Sequence, residues 1–484
     1  MNQDTKTPIE PYVWKIAGVV ILGMIMSILD TTIVNVALDT LARDLHTTIS
    51  DIQWVATGYL LSLAAVIPLT GWAARKYGAK RVYIWSVVLF TLGSALCGVA
   101  ESSTSLIAFR VVQGIGGGMI MPIAQMIMAE VAGPRRMGRV MSIVVMPAML
   151  APILGPVLGG LILQSFHWSW IFFVNVPVGI LSIALAMRML PDSKLGEAGR
   201  LDVTGLVLMV LGVPSLVFGL SEIGSTGSFT APEVVWPILA GLVLIAAFVR
   251  HAFGTPRPLL DVRLYANRIF GAASLTTFAI GAALFGTMIL VPLYYQQVRD
   301  ESVVMTGLLV GPQGLGMLMC APFAARLAER FGGGKVATVG ISILCVCSLP
   351  FVFIGPDTSI AFLSVMLLIR GVGIGLSFMP TMTVAYASLR KDQLSDATPQ
   401  MNVIQRVGGA IGTALLAVVL QRAGEGATTA VEVSDAFGTA YAWSLAISLL
   451  ALIPCVILWR AETPEGAQTE EEKLAEAEIE PLGT

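Results

Sequence analysis

Gly71-Trp72-Ala73-Ala74-Arg75-Lys76-Tyr77-Gly78 has a second copy in the chain, Ala325-Arg326-Leu327-Ala328-Glu329-Arg330-Phe331-Gly332, 254 positions further on. Both run small residue, two variable positions, alanine, charge, base, aromatic, glycine. A second pair keeps nearly the same offset. Arg110-Val111-Val112-Gln113-Gly114-Ile115-Gly116 is echoed by Arg370-Gly371-Val372-Gly373-Ile374-Gly375, and each run leads to Met-Pro, at Met121-Pro122 and Met379-Pro380. Near-constant offsets imply two homologous halves, and parallel repeats of this kind are a transporter plan, with the substrate path between the halves.

The sequence around the repeats is apolar. Of 484 residues 56% are hydrophobic and 12% charged, whereas a soluble chain has about 25% charged residues. Lipid must therefore be the solvent. A spanning helix needs about 20 apolar residues, and fourteen such runs can be read. Their cores are 14–38, 53–73, 82–100, 105–129, 140–163, 169–189, 202–221, 235–253, 269–292, 304–324, 336–355, 359–382, 398–420 and 437–459. The alternating ten-residue segments of a membrane barrel are absent. The expected fold is an all-α polytopic membrane protein. A six-helix bundle covers 1–190, two inserted helices with their linkers cover 191–265, a second bundle covers 266–460, and an acidic tail follows over 461–484.

Basic residues set the orientation. Alternate loops hold Arg75, Lys76, Lys80, Arg81, Arg135, Arg136, Arg139, Arg326, Arg330, Lys335 and Arg390 among others, while the opposite loops hold only Arg43, Arg299 and Arg422. Both termini are expected in the cytoplasm. A net charge of −2 argues against nucleic acid as a partner. The five cysteines lie inside apolar runs without zinc spacing, so neither a disulfide framework nor a metal site is read. Gly114-Ile115-Gly116-Gly117-Gly118 imitates a dinucleotide loop but follows no strand, and Gly334-Lys335 lacks the upstream glycine of a phosphate loop. No cofactor and no enzyme chemistry is read. Energy then comes from an ion gradient or from the substrate's own gradient.

Several segments together carry a resemblance. They are Leu29-Asp30-Thr31-Thr32-Ile33-Val34-Asn35-Val36-Ala37-Leu38, the loop 71–81, Arg110 with Gln113 and Gly114, and Gly155-Pro156-Val157-Leu158-Gly159-Gly160. Trp168 to Pro177 and Asn402 to Gly409, with Gln405 and Arg406, complete the set. The chain resembles the major facilitator superfamily and, within it, the fourteen-helix drug:proton antiporters of the EmrB/QacA type, closest to the EmrB branch. The resemblance implies proton-coupled efflux of lipophilic or amphiphilic compounds across a bacterial cytoplasmic membrane. The alternative is a dedicated exporter of a metabolite, lipid or self-made antibiotic. Likeness to the EmrB branch also implies a periplasmic adaptor protein in a host with an outer membrane. The chain departs from the pattern in places. Arg75 stands where the loop motif usually carries an acid, which removes the carboxylate of the family's gating contact in the N-terminal half, although Glu329 keeps one in the second copy. Asp39 replaces the proline that usually ends the first-helix motif, and Ser142 and Ala151 stand where helix-five glycines are common.

Asp30 is the sharpest candidate. A carboxylate so deep in a span costs about 2.5–3.5 kcal/mol on insertion scales, so it must face protein or a wet cavity. It reads as a proton carrier or as a structural hydrogen-bond acceptor. Arg110, placed on the same cavity by the resemblance, would stabilise its charge, or else bond backbone carbonyls. Small residues four apart, at Gly114/Gly118, Gly155/Gly159 and Gly408/Gly412, let helices approach closely. By resemblance they serve the rocking interface, together with Pro156 and Gly160. The basic loops 75–81 and 326–335, with the motif residues Gly71, Gly78, Arg81, Arg330 and Gly332, either form inner-gate contacts between helix ends or only obey the positive-inside rule. Polar, aromatic and methionine side chains within spans are candidates for the cavity wall: Asn35, Gln53, Trp54, Tyr59, Gln125, Met121, Met146, Tyr294 and Gln297. Each could equally be ordinary packing.

Overall fold

The computed structural model describes residues 10–132, 154–155, 157–192, 199–390 and 393–462. Every regular element among them is helical, as hydrocarbon demands, because each buried backbone N–H and C=O must find a partner within its own segment. The first group comprises α1 (Pro11–Asp44), α2 (Ile49–Val66), α3 (Thr70–Tyr77), α4 (Ala79–Gly98) and α5 (Ser103–Ala132). The short α6 (Trp170–Phe173) leads into α7 (Asn175–Met189), and α8 (Val203–Thr226) and α9 (Pro232–Gly254) follow. The remaining helices are α10 (Arg268–Gln297), α11 (Val303–Phe331), α12 (Gly333–Ser348), α13 (Ile360–Ala387), α14 (Leu394–Ala423) and α15 (Ala430–Glu462).

Twelve stretches among the described residues are long and apolar enough to cross a bilayer, and α11, bent by 48° between Cys320 and Phe323, brings the number to thirteen if its two arms count as one span. Fourteen were expected. The run at 140–163 lies mostly outside the described residues, its described end being helical over 157–165. The other runs appear close to their expected bounds, usually longer, because polar helix ends that carry no hydropathy signal still hydrogen-bond as helix.

Within the first group α5 touches α1, α2 and α4, while α7 touches α1 and α4. Among the later helices α10 packs on α13, α14 and α15, and α13 on α11 and α12. Small residues permit these approaches. A Cβ on Gly408 would lie 2.2 Å from the Phe278 carbonyl and one on Gly412 2.1 Å from that of Ala282, so α14 meets α10 backbone to backbone. Gly114 and Gly118 do the same for α5 against α2, at Ser62 and Leu63.

The two loop copies share one backbone geometry. Gly78, between α3 and α4, has φ 86° and ψ 142°, and Gly332, between α11 and α12, has φ 88° and ψ 142°. Only glycine takes such torsions without strain. Each glycine therefore ends one helix and starts the next within a single residue.

α8 contacts both α2 and α14, whereas α9 leans on α8 and turns an apolar face outward, with only 17% of its most apolar window buried. Trp236, Val243 and Phe253 lie on that face, as suits a helix surrounded by lipid. A carboxylate ties the pair at one end. Asp202, at the N-cap of α8, accepts from the Gly205 amide at 2.8 Å, from the Leu259 amide at 3.1 Å and pairs with the His251 Nε2 of α9 at 2.8 Å. Partial burial pushes the Asp202 carboxyl up, but those amides and the imidazole outweigh it and hold its pKa below the usual carboxylate value. Arg263 caps the C-terminus of α9 at this same end, its Nη2 donating to the carbonyls of Phe253 and Thr255 at 3.0 and 3.2 Å.

Asp202→Ala should therefore cost on the order of 1–2 kcal/mol, read as a lower unfolding midpoint of the detergent-solubilised protein. The folded-state pKa is depressed, so the stabilisation is complete above the unfolded-state value and fades as pH falls below about 4. Melting curves from pH 3 to pH 8 on both proteins check this. A wild-type advantage that grows on acidification would refute it.

Candidate functional site

α1 places Asp30 facing α5, and both elements are buried there by the surrounding helices. Asp30 is 0% and Arg110 1% exposed. Arg110 Nη1 donates to Asp30 Oδ2 at 2.5 Å and to Gln113 Oε1 at 2.8 Å, and its Nε donates to the Val55 carbonyl at 3.2 Å. The other carboxylate oxygen, Oδ1, accepts from Gln113 Nε2 and from Asn175 Nδ2, both at 2.9 Å. Arg110 and Gln113 share one face of α5 because they are three residues apart. Asn175 arrives at the first turn of α7, held also by a 3.0 Å bond to Ser94 Oγ of α4. Side chains of α5 and α7 thus converge on the carboxylate of α1, and α2 and α4 hold those side chains in turn.

Aromatic rings close the site. The Arg110 guanidinium carbon sits 4.1 Å from the centroid of Tyr59 and 5.7 Å from that of Phe172. Such rings stabilise a desolvated cation without offering it a second counter-charge. Tyr59 is itself fixed, its hydroxyl 3.2 Å from Ser27 Oγ and donating to the Ser27 carbonyl at 3.3 Å. Chemically the arrangement has one titratable acid and one permanent cation in an apolar setting. A charged carboxylate accepts only, and here three donors occupy it. Once protonated it must donate, and Arg110 loses its counter-charge. Breaking a buried pair in this way costs about 3–5 kcal/mol, so the protonation state and the helix arrangement cannot vary independently.

A second constellation joins α3 to α14. Arg75 Nη1 donates to Asp396 Oδ1 at 2.8 Å and to Ser395 Oγ at 2.7 Å. Gly71 sits so close that a Cβ would fall 2.2 Å from the Ser395 carbonyl. Six residues further along α14, Asn402 Nδ2 donates to Gln125 Oε1 of α5 at 2.8 Å. Arg75, which stands where the loop motif usually carries an acid, thus finds an acid on the facing helix. The pairing was not legible in the sequence, because Asp396 lies 321 positions away and carries no local signal.

The other expected residues are scattered. Gln113, Asn402 and Gln125 take part in these two networks. Tyr294 is buried, and its hydroxyl donates to the Gly355 carbonyl at 2.7 Å. Trp54 stacks on Phe218 of α8 at 5.5 Å, which puts its ring against that helix. Asn35, Gln53 and Gln297 are exposed, and Met121 is partly buried against the core. Arg406 is half-buried on α14 within electrostatic reach of Tyr59. Arg81, Glu329 and Arg330 are exposed near helix ends. A Cβ on Gly155 would meet Thr32 of α1, one on Gly159 would meet Ile33, and one on Gly160 would meet Val304 of α11. Met146 and Pro156, with Ser142 and Ala151, lie outside the described residues. Asn175, Ser94 and Asp396 were not among the expected site residues. Asn175 had a signal, its place within the Trp168-to-Pro177 segment. Ser94 had none.

A model of the Major Facilitator Superfamily matches residues 20–413. The chain is 40% identical over 408 residues to the multidrug resistance protein B homolog of Mycobacterium tuberculosis (strain H37Rv), a match covering 84% of this chain and 75% of that one. It is 30% identical over 397 residues to the multidrug export protein EmrB of Escherichia coli (strain K12), covering 81% and 77%. Among solved structures, the human organic anion transporter MFSD10 superposes with a TM-score of 0.63 over 92% of this chain and 100% of that one, at 16% identity, a likeness of fold. With the family model spanning most of the chain and relatives this similar over most of their own length, the chain belongs to the Major Facilitator Superfamily.

Proposed function

We propose that this protein is a proton-coupled exporter of lipophilic or amphiphilic compounds in a bacterial cytoplasmic membrane. The single observation that carries the reading is Asp30, a buried carboxylate held by Arg110, Gln113 and Asn175 from two other helices. Relatives named for multidrug resistance and export support the class of cargo. The layout is two six-helix halves, 1–190 and 266–460, with an inserted pair in 191–265 and an acidic tail over 461–484, fourteen spans in all. Both termini lie in the cytoplasm, on the side of the basic loops.

In this reading Asp30 is charged when the site is closed off from protons. Proton entry neutralises it and frees Arg110, which destabilises the packing of α1 against α5 and α7. In this reading the Arg75–Asp396 and Gln125–Asn402 contacts hold the two halves together on the side of the basic loops and close the cytoplasmic entrance. Arg75 and Asp396 then form the inner gate. Export follows when proton loading at Asp30 and opening at this gate alternate.

Asp30→Asn, a neutral mimic of the protonated acid, should cut pH-gradient-driven dye export from proteoliposomes by at least about tenfold while the protein still purifies as a monodisperse species. Undiminished gradient-driven transport would remove Asp30 from the mechanism. Competition among several dyes on the wild type separates a broad exporter from a dedicated one, since a dedicated exporter accepts a single compound.

At the gate, Arg75→Asp should weaken closure by about tenfold, the value of one charge-assisted bond, and raise labelling of a cysteine introduced at the cytoplasmic entrance. Adding Asp396→Arg should recover most of the loss. If the double variant is no better than the single one, the pair is not a gate contact.

A further inference from the structure

The second copy of the α5 arginine has lost its company. Arg370 of α13 is 0% exposed, and among the described residues no protein group accepts a hydrogen bond from its Nε, Nη1 or Nη2. Its counterpart Arg110 has three acceptors. The position matching Gln113 is Gly373, and α10, which in the repeat corresponds to α1, holds no acid between Arg268 and Gln297. α12 and α13 have none either. A guanidinium does not shed its proton in a protein, and an isolated buried charge is among the costliest groups to fold around. Water can satisfy donors but cannot cancel the charge.

Donors collect around it. The Tyr441 hydroxyl of α15 lies within electrostatic reach of Arg370, and Tyr295 within reach of Tyr441. Both hydroxyls are buried and unpaired, as is Ser444 one turn along α15 from Tyr441. Tyr294 next to them is already committed to the Gly355 carbonyl. The ring of Phe351 against Tyr441 at 5.1 Å, together with Leu290, Leu363 and Leu367, keeps the surroundings apolar. A fixed cation beside a phenolic O–H group, with no carboxylate within its electrostatic reach, is a set of donors lacking an acceptor.

We propose that Arg370 and Tyr441 form a binding site for a small monovalent anion, chloride or the carboxylate of a bound organic molecule, inside the C-terminal half. The anion takes the place that Asp30 fills for Arg110. One half would then carry its counter-charge covalently and the other would borrow it from solution.

The test uses the purified full-length protein in detergent, in a low-ionic-strength zwitterionic buffer without halide or carboxylate. Titrating chloride, and separately acetate, should raise the unfolding midpoint saturably. Tyr441→Phe keeps the ring and should weaken the apparent affinity about tenfold. Arg370→Gln should abolish the response and, in the buffer without halide or carboxylate, melt no lower than the wild type. Chloride acting alone identifies a resident inorganic ion, and acetate competing with it identifies a carboxylate subsite. A wild type indifferent to both anions overturns the proposal, as does a response of unchanged affinity in Tyr441→Phe. The wild-type titration and Tyr441→Phe decide the matter even if Arg370→Gln does not fold.

Discussion

A carboxylate and a guanidinium pressed together at 2.5 Å inside hydrocarbon dictate how the N-terminal helices must sit. Neither group could be placed there alone, since each would bring an uncompensated charge into lipid. Together they still leave lone pairs and N–H groups to satisfy, and those needs recruit Gln113, Asn175 and the Val55 carbonyl. The packing of α1, α2, α5 and α7 follows from a few hydrogen bonds more than from hydrophobicity, because lipid tails are as apolar as any core side chain. Close contact between these helices is then completed by small residues such as Gly114 and Gly118.

The helices were legible because lipid leaves the chain so little choice. A run of twenty apolar residues has one conformation available to it, and α8 and α9 could be read from hydropathy alone. The repeat was legible because its loop glycines occupy torsions that other residues avoid. Side-chain destinations were harder to read. Asn35 and Gln53 are polar residues in apolar runs, yet both are exposed, and Trp54 lies on Phe218 of α8. Composition says that a residue lies within a span but not which way it faces, and a helix with apolar residues all round has little moment to reveal its rotation.

Partners distant in sequence were the least legible. Asp30 and Arg110 announce themselves because each is anomalous where it stands. Asp396 sits at a helix start, where an acid is ordinary, and nothing local ties it to Arg75. Asn175 and Ser94 are similar. They are unremarkable polar residues whose importance comes only from the carboxylate they face.

Gly78 and Gly332 carry a further consequence. Side chains around them differ enough that an arginine in one copy stands where the other has a glutamate. The two elbows nonetheless agree to within a few degrees in φ and coincide in ψ. A backbone torsion open to one amino acid alone is nearly immune to gradual change, since every neighbouring sequence is strained. The two sequence copies therefore agree more closely in dihedral angle than in residue identity, and such paired elbows offer a way to align repeated segments whose sequences no longer match.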